Sequence, residues 1–229
     1  MNWDLKKMDK KTHKSLVLFS GGLDSTVCLY YTRGISKVVE AISFDYSQRH
    51  NIELKKAKQI TQELKIPHTI VKIQTGVFQN SSLVDKSLKV RKNQVQKTNI
   101  PNTYVPARNL LFLSFALAIA ESKNFNTIVL GVNALDYSGY PDCRSEFIHA
   151  FEKVIELGTK TGVQGKKIQI LTPLISMTKK EIILLGKKLN VPFNKTHSCY
   201  SPVRGRPCGE CDSCILRKKG FKEAGLLDE

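Results

Sequence analysis

Short apolar runs alternate with longer amphipathic stretches along this chain, and the two periods predict different elements. Residues 15–19, 38–44, 68–73, 127–132 and 168–171 read as five strands, because compact runs rich in Val, Ile and Phe suit a pleated, half-buried surface. Residues 48–64 place Ile52, Ala57 and Ile60 on one side, which predicts an amphipathic helix. Residues 107–122 are strongly apolar and predict a buried helix. Residues 143–157 carry Phe147, Phe151, Val154 and Ile155 at helical spacing. Thr178 followed three residues on by Glu181 is a capping-box signature, predicting a helix over 178–189. Residues 74–102 show weak periodicity and a cluster of Lys86, Lys89, Arg91, Lys92 and Lys97, which reads as an insertion or mobile loop.

Strands separated by helices pair in parallel, with crossovers covering both faces. The predicted fold is therefore α/β: a doubly wound, mainly parallel five-stranded sheet. Residues 1–14 form a basic, mobile leader, 15–190 the α/β domain, and 191–229 a cysteine-rich region packed on it. Ligands of such sheets bind beyond the carboxyl ends of the strands. That directs attention to residues 20–26, 44–50 and 131–144.

Composition narrows the class. The 229 residues are 41% hydrophobic and 24% charged, ordinary values for one globular domain. No apolar run reaches the ~20 residues that span a bilayer, and the basic N-terminus lacks the apolar stretch of a secretory signal. The net charge of +16 opens a nucleic-acid reading. Much of that charge lies in the leader, the 86–97 stretch and the tail, away from the strand-end loops.

Ser20-Gly21-Gly22-Leu23-Asp24-Ser25-Thr26 joins the first strand to a helix. Its glycines allow close backbone approach, and a helix N-terminus presents N–H groups to an anion. Ser20, Ser25 and Thr26 add hydroxyl donors. Asp24 beside a phosphate makes sense only if it holds a metal ion or orients the loop. Neither the GxxxxGK[ST] nor the GxGxxG pattern is present.

Of six cysteines, Cys28 and Cys143 stand alone, whereas Cys199, Cys208, Cys211 and Cys214 share one short segment with eight, two and two intervening residues. Clustered thiols in a non-secreted chain point to metal and a reducing, cytoplasmic compartment. Four sulfurs would fill a structural Zn²⁺ site; an iron–sulfur cluster or thiol chemistry are the alternatives. In the middle loops, Tyr137 and Tyr140 suit stacking on a flat heterocycle. Asp136 or Asp142 suits a guanine-like N1–H and amine, and Arg108 and Arg144 suit an anionic group.

The SGGLDST loop resembles the pyrophosphate loop (PP-loop) of the N-type ATP pyrophosphatases. FDYSQRH at 44–50, YVPARN at 104–109, GVNALDYSGYPDCR at 131–144, the Pro173–Leu174 and 178–182 region, and SCY plus CGECDSC together resemble the 7-cyano-7-deazaguanine synthase family over nearly all the chain from Ser15 to Asp228. Ser47 stands where that family usually has glycine, and His197 where it usually has tryptophan. The resemblance implies an ATP-dependent carbon–nitrogen ligase that converts 7-carboxy-7-deazaguanine and ammonia to the nitrile through an adenylated acid and an amide, in queuosine-precursor biosynthesis. It implies ATP with Mg²⁺, one structural Zn²⁺ per subunit on Cys199, Cys208, Cys211 and Cys214, and a homodimer that binds small molecules, with no stable nucleic-acid or membrane partner. ATP would lie against Leu18, Phe19, Ser20, Gly21, Gly22, Leu23, Asp24, Ser25, Thr26, Val27, Cys28 and Phe44. Asp24, Ser25 and Arg108 would be catalytic; Tyr46, Arg108, Asn109, Asp136, Tyr137, Asp142 and Arg144 would hold the acid. The rival readings are a tRNA-modifying enzyme of the same loop class, making thiolated or lysidine-bearing tRNA, and a non-enzymatic zinc module that binds nucleic acid.

Overall fold

The computed structural model describes residues 13–74, 76–93, 100–135 and 140–228. Five strands, β1 (Lys14–Leu18), β2 (Val38–Asp45), β3 (His68–Lys72), β4 (Thr127–Leu130) and β5 (Gln169–Leu171), form one parallel sheet in the order β3-β2-β1-β4-β5. Among the described residues, seven α-helices accompany them: α1 (Leu23–Ile35), α2 (Ile52–Glu63), α3 (Arg108–Ser122), α4 (Ser145–Gly158), α5 (Lys160–Val163), α6 (Lys179–Lys188) and α7 (Asp212–Ala224). The doubly wound expectation holds. β1 begins at Lys14, and His13 contacts Thr127 and Gln169, so the strand reaches into the stretch read as leader. Residues 1–12 lie outside the described residues.

Alternation along β1 builds the two sides of the core. Leu16 and Leu18 face one way and pack with Leu113, Ala116 and Ala120 of α3 and with Phe151 and Ile155 of α4. Val17 and Phe19 face the other way, against Val27 and Leu29 of α1, Ile60 of α2, Ile182 of α6 and Phe221 of α7. Because side chains alternate at period two, a one-residue slip of β1 would exchange these partners.

The capping box at Thr178 is present: Thr178 Oγ1 accepts from the Glu181 backbone N–H at 3.3 Å, and Glu181 Oε2 accepts from that of Thr178 at 2.8 Å. Two expectations need correction. The helix predicted from residue 143 starts at Ser145, because Pro141–Cys143 forms a separate 3-10 turn. The helix predicted as buried, α3, exposes 46% of Leu110 and 37% of Phe115. Its apolar composition serves two surfaces, one against the sheet and one outward.

Among the described residues, 76–93 contain no helix or named strand, as their weak periodicity predicts. Arg49 holds this segment by donating to the backbone carbonyls of Ser82 at 2.9 Å, Asp85 at 3.1 Å and Leu88 at 2.5 Å. A bridge between Lys92 and Cys211, and an N–H···O bond from Asn93 to Glu210 at 2.9 Å, join its far end to the cysteine segment.

Candidate active site and metal centre

The strand order reverses direction at β1, and a cavity of about 260 Å³ opens where the loops after β1, β2 and β4 diverge. The glycine-rich loop forms one wall. Gly21 has φ +85°, and a Cβ there would overlap the Glu53 carbonyl oxygen and lie 2.7 Å from the Ala57 nitrogen, so glycine lets the loop rest on α2. Ser20 and Ser25 hydroxyls lie 3.0 Å apart, and Thr26 Oγ1 donates to the Gly22 carbonyl at 2.7 Å. Gly22, the N-cap of α1, has no side chain with which to cap the first turn, and its own N–H donates to Ser20 Oγ at 3.2 Å, which leaves the first-turn N–H groups of the helix to a ligand.

The structure distributes the predicted nucleotide residues unequally. Leu18, Phe19, Ser20, Gly22, Leu23, Asp24, Ser25 and Phe44 line the cavity. Val27 and Cys28 are fully buried in the core, and burial pushes the Cys28 thiol well up. Phe44 stacks on Phe112 with ring centroids 3.9 Å apart, so one of its faces is already covered. Asp24 is engaged: Lys179 Nζ, at the start of α6, lies 2.8 Å from each of its carboxylate oxygens. Gly220 of α7 makes room for this lysine, since a Cβ there would overlap Lys179 Cγ and sit 2.9 Å from its Cβ. Asn133, after β4, donates to the carbonyls of Leu174 at 3.0 Å and of Met177, holding the segment that leads into α6.

On the opposite wall, Tyr46, Arg108 and Asn109 line the cavity, and Arg108 Nη1 donates to the Tyr46 hydroxyl at 3.5 Å. Burial raises the Tyr46 phenol, which stays neutral. Ala107, in the left-handed region at φ +52°, turns the chain into α3 and sets Arg108 at its start. Asp142 takes a different part from the one predicted: it is buried, and its Oδ2 accepts from the Asn109 backbone N–H at 2.9 Å, satisfying the start of α3. Arg144 is exposed at the N-cap of α4 and outside the cavity lining. Asp136 and Tyr137 lie outside the described residues. Tyr140 lines the cavity, its hydroxyl 2.7 Å from Thr103 Oγ1.

Among the lining groups that the sequence reading did not name as site residues are Glu53, Lys179 and His50. Glu53 stands in the first turn of α2, where a carboxylate suits the helix dipole. Burial raises its carboxyl to about 7, against an opposing pull from the Arg108 cation. His50 Nε2 lies 2.9 Å from the Cys199 carbonyl, and its ring meets that of His197 edge to face at 5.3 Å.

Beside this cavity, the ligand atoms of Cys199, Cys208, Cys211 and Cys214 all lie within 4.8 Å of one another, and His197 is outside the set. Cys208 and Cys214 sulfurs are 4.0 Å apart, close to the ~3.8 Å edge of a tetrahedron with ~2.3 Å zinc–sulfur bonds. Backbone N–H groups of Cys208 and Cys211 donate to the sulfurs of Cys199 and Cys208 at 3.2 and 3.3 Å, which favours thiolates. The donor set therefore fits one metal ion.

The profile described as Queuosine biosynthesis protein QueC matches residues 14–225. The chain belongs to the QueC family. A protein named 7-cyano-7-deazaguanine synthase from Leptospira interrogans is 57% identical over 223 residues, covering 97% of this chain and 92% of the relative. A synthase of the same name from a Psychrobacter species is 47% identical, covering 96% and 90%. Among solved structures, the U34-tRNA thiolase NcsA from Methanococcus maripaludis, with its [4Fe-4S] cluster, superposes with a TM-score of 0.52 at 15% identity, covering 95% of this chain and 68% of that one. This last likeness concerns the fold alone. The QueC match places the protein among the enzymes of queuosine-precursor biosynthesis. The tRNA-modifying alternative is not favoured.

Proposed function

We propose that this QueC-family member is an ATP-dependent carbon–nitrogen ligase that converts 7-carboxy-7-deazaguanine and ammonia to 7-cyano-7-deazaguanine. The observation that carries the reading is one cavity with an uncapped helix N-terminus and hydroxyl-bearing loop on one wall and Arg108 with Tyr46 on the other. The first wall suits a triphosphate; the second suits a carboxylate on a flat ring. A carboxylate oxygen is a poor leaving group, and transfer of AMP onto it makes displacement by ammonia feasible. Holding both substrates in line supplies the rest of the first step. The amide formed would then be activated through its oxygen and collapse to the nitrile.

In this reading, Ser20, Gly22 and Ser25 hold phosphate oxygens, Leu18 and Phe44 border the adenosine, and Arg108 holds the acid. Mg²⁺ accompanies the ATP phosphates. Asp24 as it stands does not fit a magnesium ligand, because Lys179 engages both its oxygens. Its part is to orient Lys179 and the loop. The four thiolates hold one structural Zn²⁺, which leaves no coordination position for water. Sulfur transfer is disfavoured on the chain's own chemistry: burial and Asp142 push the Cys143 thiol up to about 12, away from the thiolate form. The proposal includes a homodimer, for which Leu110 and Phe115 of α3 offer exposed apolar surface, and a cytoplasmic setting consistent with reduced cysteines. Among the described residues no helix is long and apolar enough to cross a membrane.

The test is incubation with ATP, Mg²⁺, ammonium and 7-carboxy-7-deazaguanine, read by mass spectrometry. Amide and nitrile are expected; absence of both would refute the reading.

A further inference from the structure

Among the described residues, two carboxyl groups line the cavity, those of Asp24 and Glu53. Asp24 is neutralised by Lys179. The Glu53 carboxyl has no hydrogen bond or ion pair among the described residues. Its Oε1 stands 3.6 Å from the position a Gly22 Cβ would occupy, at the phosphate loop, and its main-chain carbonyl packs on Gly21. Arg108 on the opposite wall is close enough to pull on its charge, and Tyr46 lies near both. The carboxyl therefore lies in the cavity beside the glycine-rich loop, with the Arg108 cation within electrostatic reach.

The proposed reaction needs a proton acceptor in this cavity. When AMP is placed on the amide oxygen, pyrophosphate leaves and one N–H proton is lost, giving C(O–AMP)=N–H. The last N–H proton must then depart, so that its electron pair forms the third C–N bond as the C–O bond breaks and AMP leaves. Other lining groups are poor acceptors. Lys179 is paired, Arg108 stays protonated, and burial keeps the Tyr46 and Tyr140 phenols and the Cys143 thiol in their neutral forms. His50 donates from Nε2 to the Cys199 carbonyl, and its other ring nitrogen, Nδ1, is buried and so closed to a substrate in the cavity.

Resting on the proposed reaction, we propose that Glu53 is the catalytic base of nitrile formation, taking the N–H proton of the activated amide. The charged and titratable groups that face it are Arg108 from α3 and Tyr46 from the loop after β2. From the loop after β1 it meets Gly22, with the Asp24–Lys179 pair further along. A carboxyl raised to about 7 by burial matches a base that works near neutral pH.

The experiment supplies wild type and Glu53→Gln with the acid or with the amide, each with ATP and Mg²⁺, ammonium being added to the acid. Acid, amide and nitrile are quantified by mass spectrometry. Wild type is expected to make nitrile from both; failure with both overturns the underlying reaction rather than the role of Glu53. Glu53→Gln is expected to keep ATP affinity, make amide within about tenfold of the wild-type rate, and convert amide to nitrile ~10²–10⁴-fold more slowly. Glu53→Asp, which keeps a carboxylate, should recover part of the second step and serves where the glutamine variant does not fold. Nitrile formation from amide within threefold of wild type in the glutamine variant, or an equal loss of both steps in a variant that folds, overturns the proposal.

Discussion

Lys179 Nζ sits 2.8 Å from both carboxylate oxygens of Asp24, joining the start of α6 to the first turn of α1 across the edge of the cavity. The lysine is 10% exposed and the aspartate 22%, so water screens the pair weakly. Removing one partner leaves a half-buried charge without its counter-ion, and that loss exceeds what the pair itself contributes. Lys179→Met is expected to cost about 2 kcal/mol of stability and to lower kcat/KM for ATP by roughly 10–100-fold. Thermal melts and initial rates check this. Unchanged rates would detach Lys179 from the nucleotide site.

The thiolate cluster gives a metal prediction. Purified protein should carry about one zinc per chain by elemental analysis. Cys211→Ser should lose the metal and unfold at lower temperature, and a strong chelator should do the same to wild type, because binding free energy there is folding free energy. Iron with visible absorbance would overturn the assignment.

Glu53 links stability to pH. Its carboxyl is raised to about 7 in the folded chain, first by burial, so the native state keeps a proton that the unfolded state gives up near pH 4.5. The stability of the neutral form is fully present below the ordinary carboxylate range and is lost as pH rises through about 7. Glu53→Gln keeps the neutral shape at every pH. Its unfolding free energy should match wild type near pH 4 and exceed it at pH 8, by on the order of 2 kcal/mol. Parallel curves would show that Glu53 titrates normally.

Cys143 should be inert. With its thiol pushed up to about 12, the thiolate is scarce at pH 8, and alkylation should run roughly 10³-fold slower than for a free cysteine. Peptide mass mapping after iodoacetamide treatment of the native protein reads this directly. Rapid modification would reopen a nucleophilic part for that residue.

The sheet, the glycine-rich loop after β1, the capping box at Thr178 and the four grouped cysteines were legible in the chain, because each is a local pattern with a fixed spacing. What escaped depends on distant partners. Glu53 looks like a surface residue of a polar helix until Arg108 and Gly22 are seen around it. Lys179 is one lysine among many until α6 is folded against α1. Asp142 fits a ligand acceptor by type, yet whether it meets a ligand or the start of α3 is decided only by where Asn109 lands. The outer face of α3 misleads for another reason: an apolar run signals burial without saying by what, and Leu110 remains 46% exposed.

Gly220 illustrates how damage far along the chain would be misread. It belongs to α7, a Cβ added there would meet the stem of Lys179 first and Ile183 next, and it would be scored in a mutational screen as a packing position. Yet the first atoms a larger side chain would displace are those of the lysine that holds Asp24. A valine there would be recorded as a loss of solubility or abundance, while the surviving folded molecules would already handle ATP differently. Screens that report growth alone would merge the two effects; measuring nucleotide affinity on the soluble fraction would separate them.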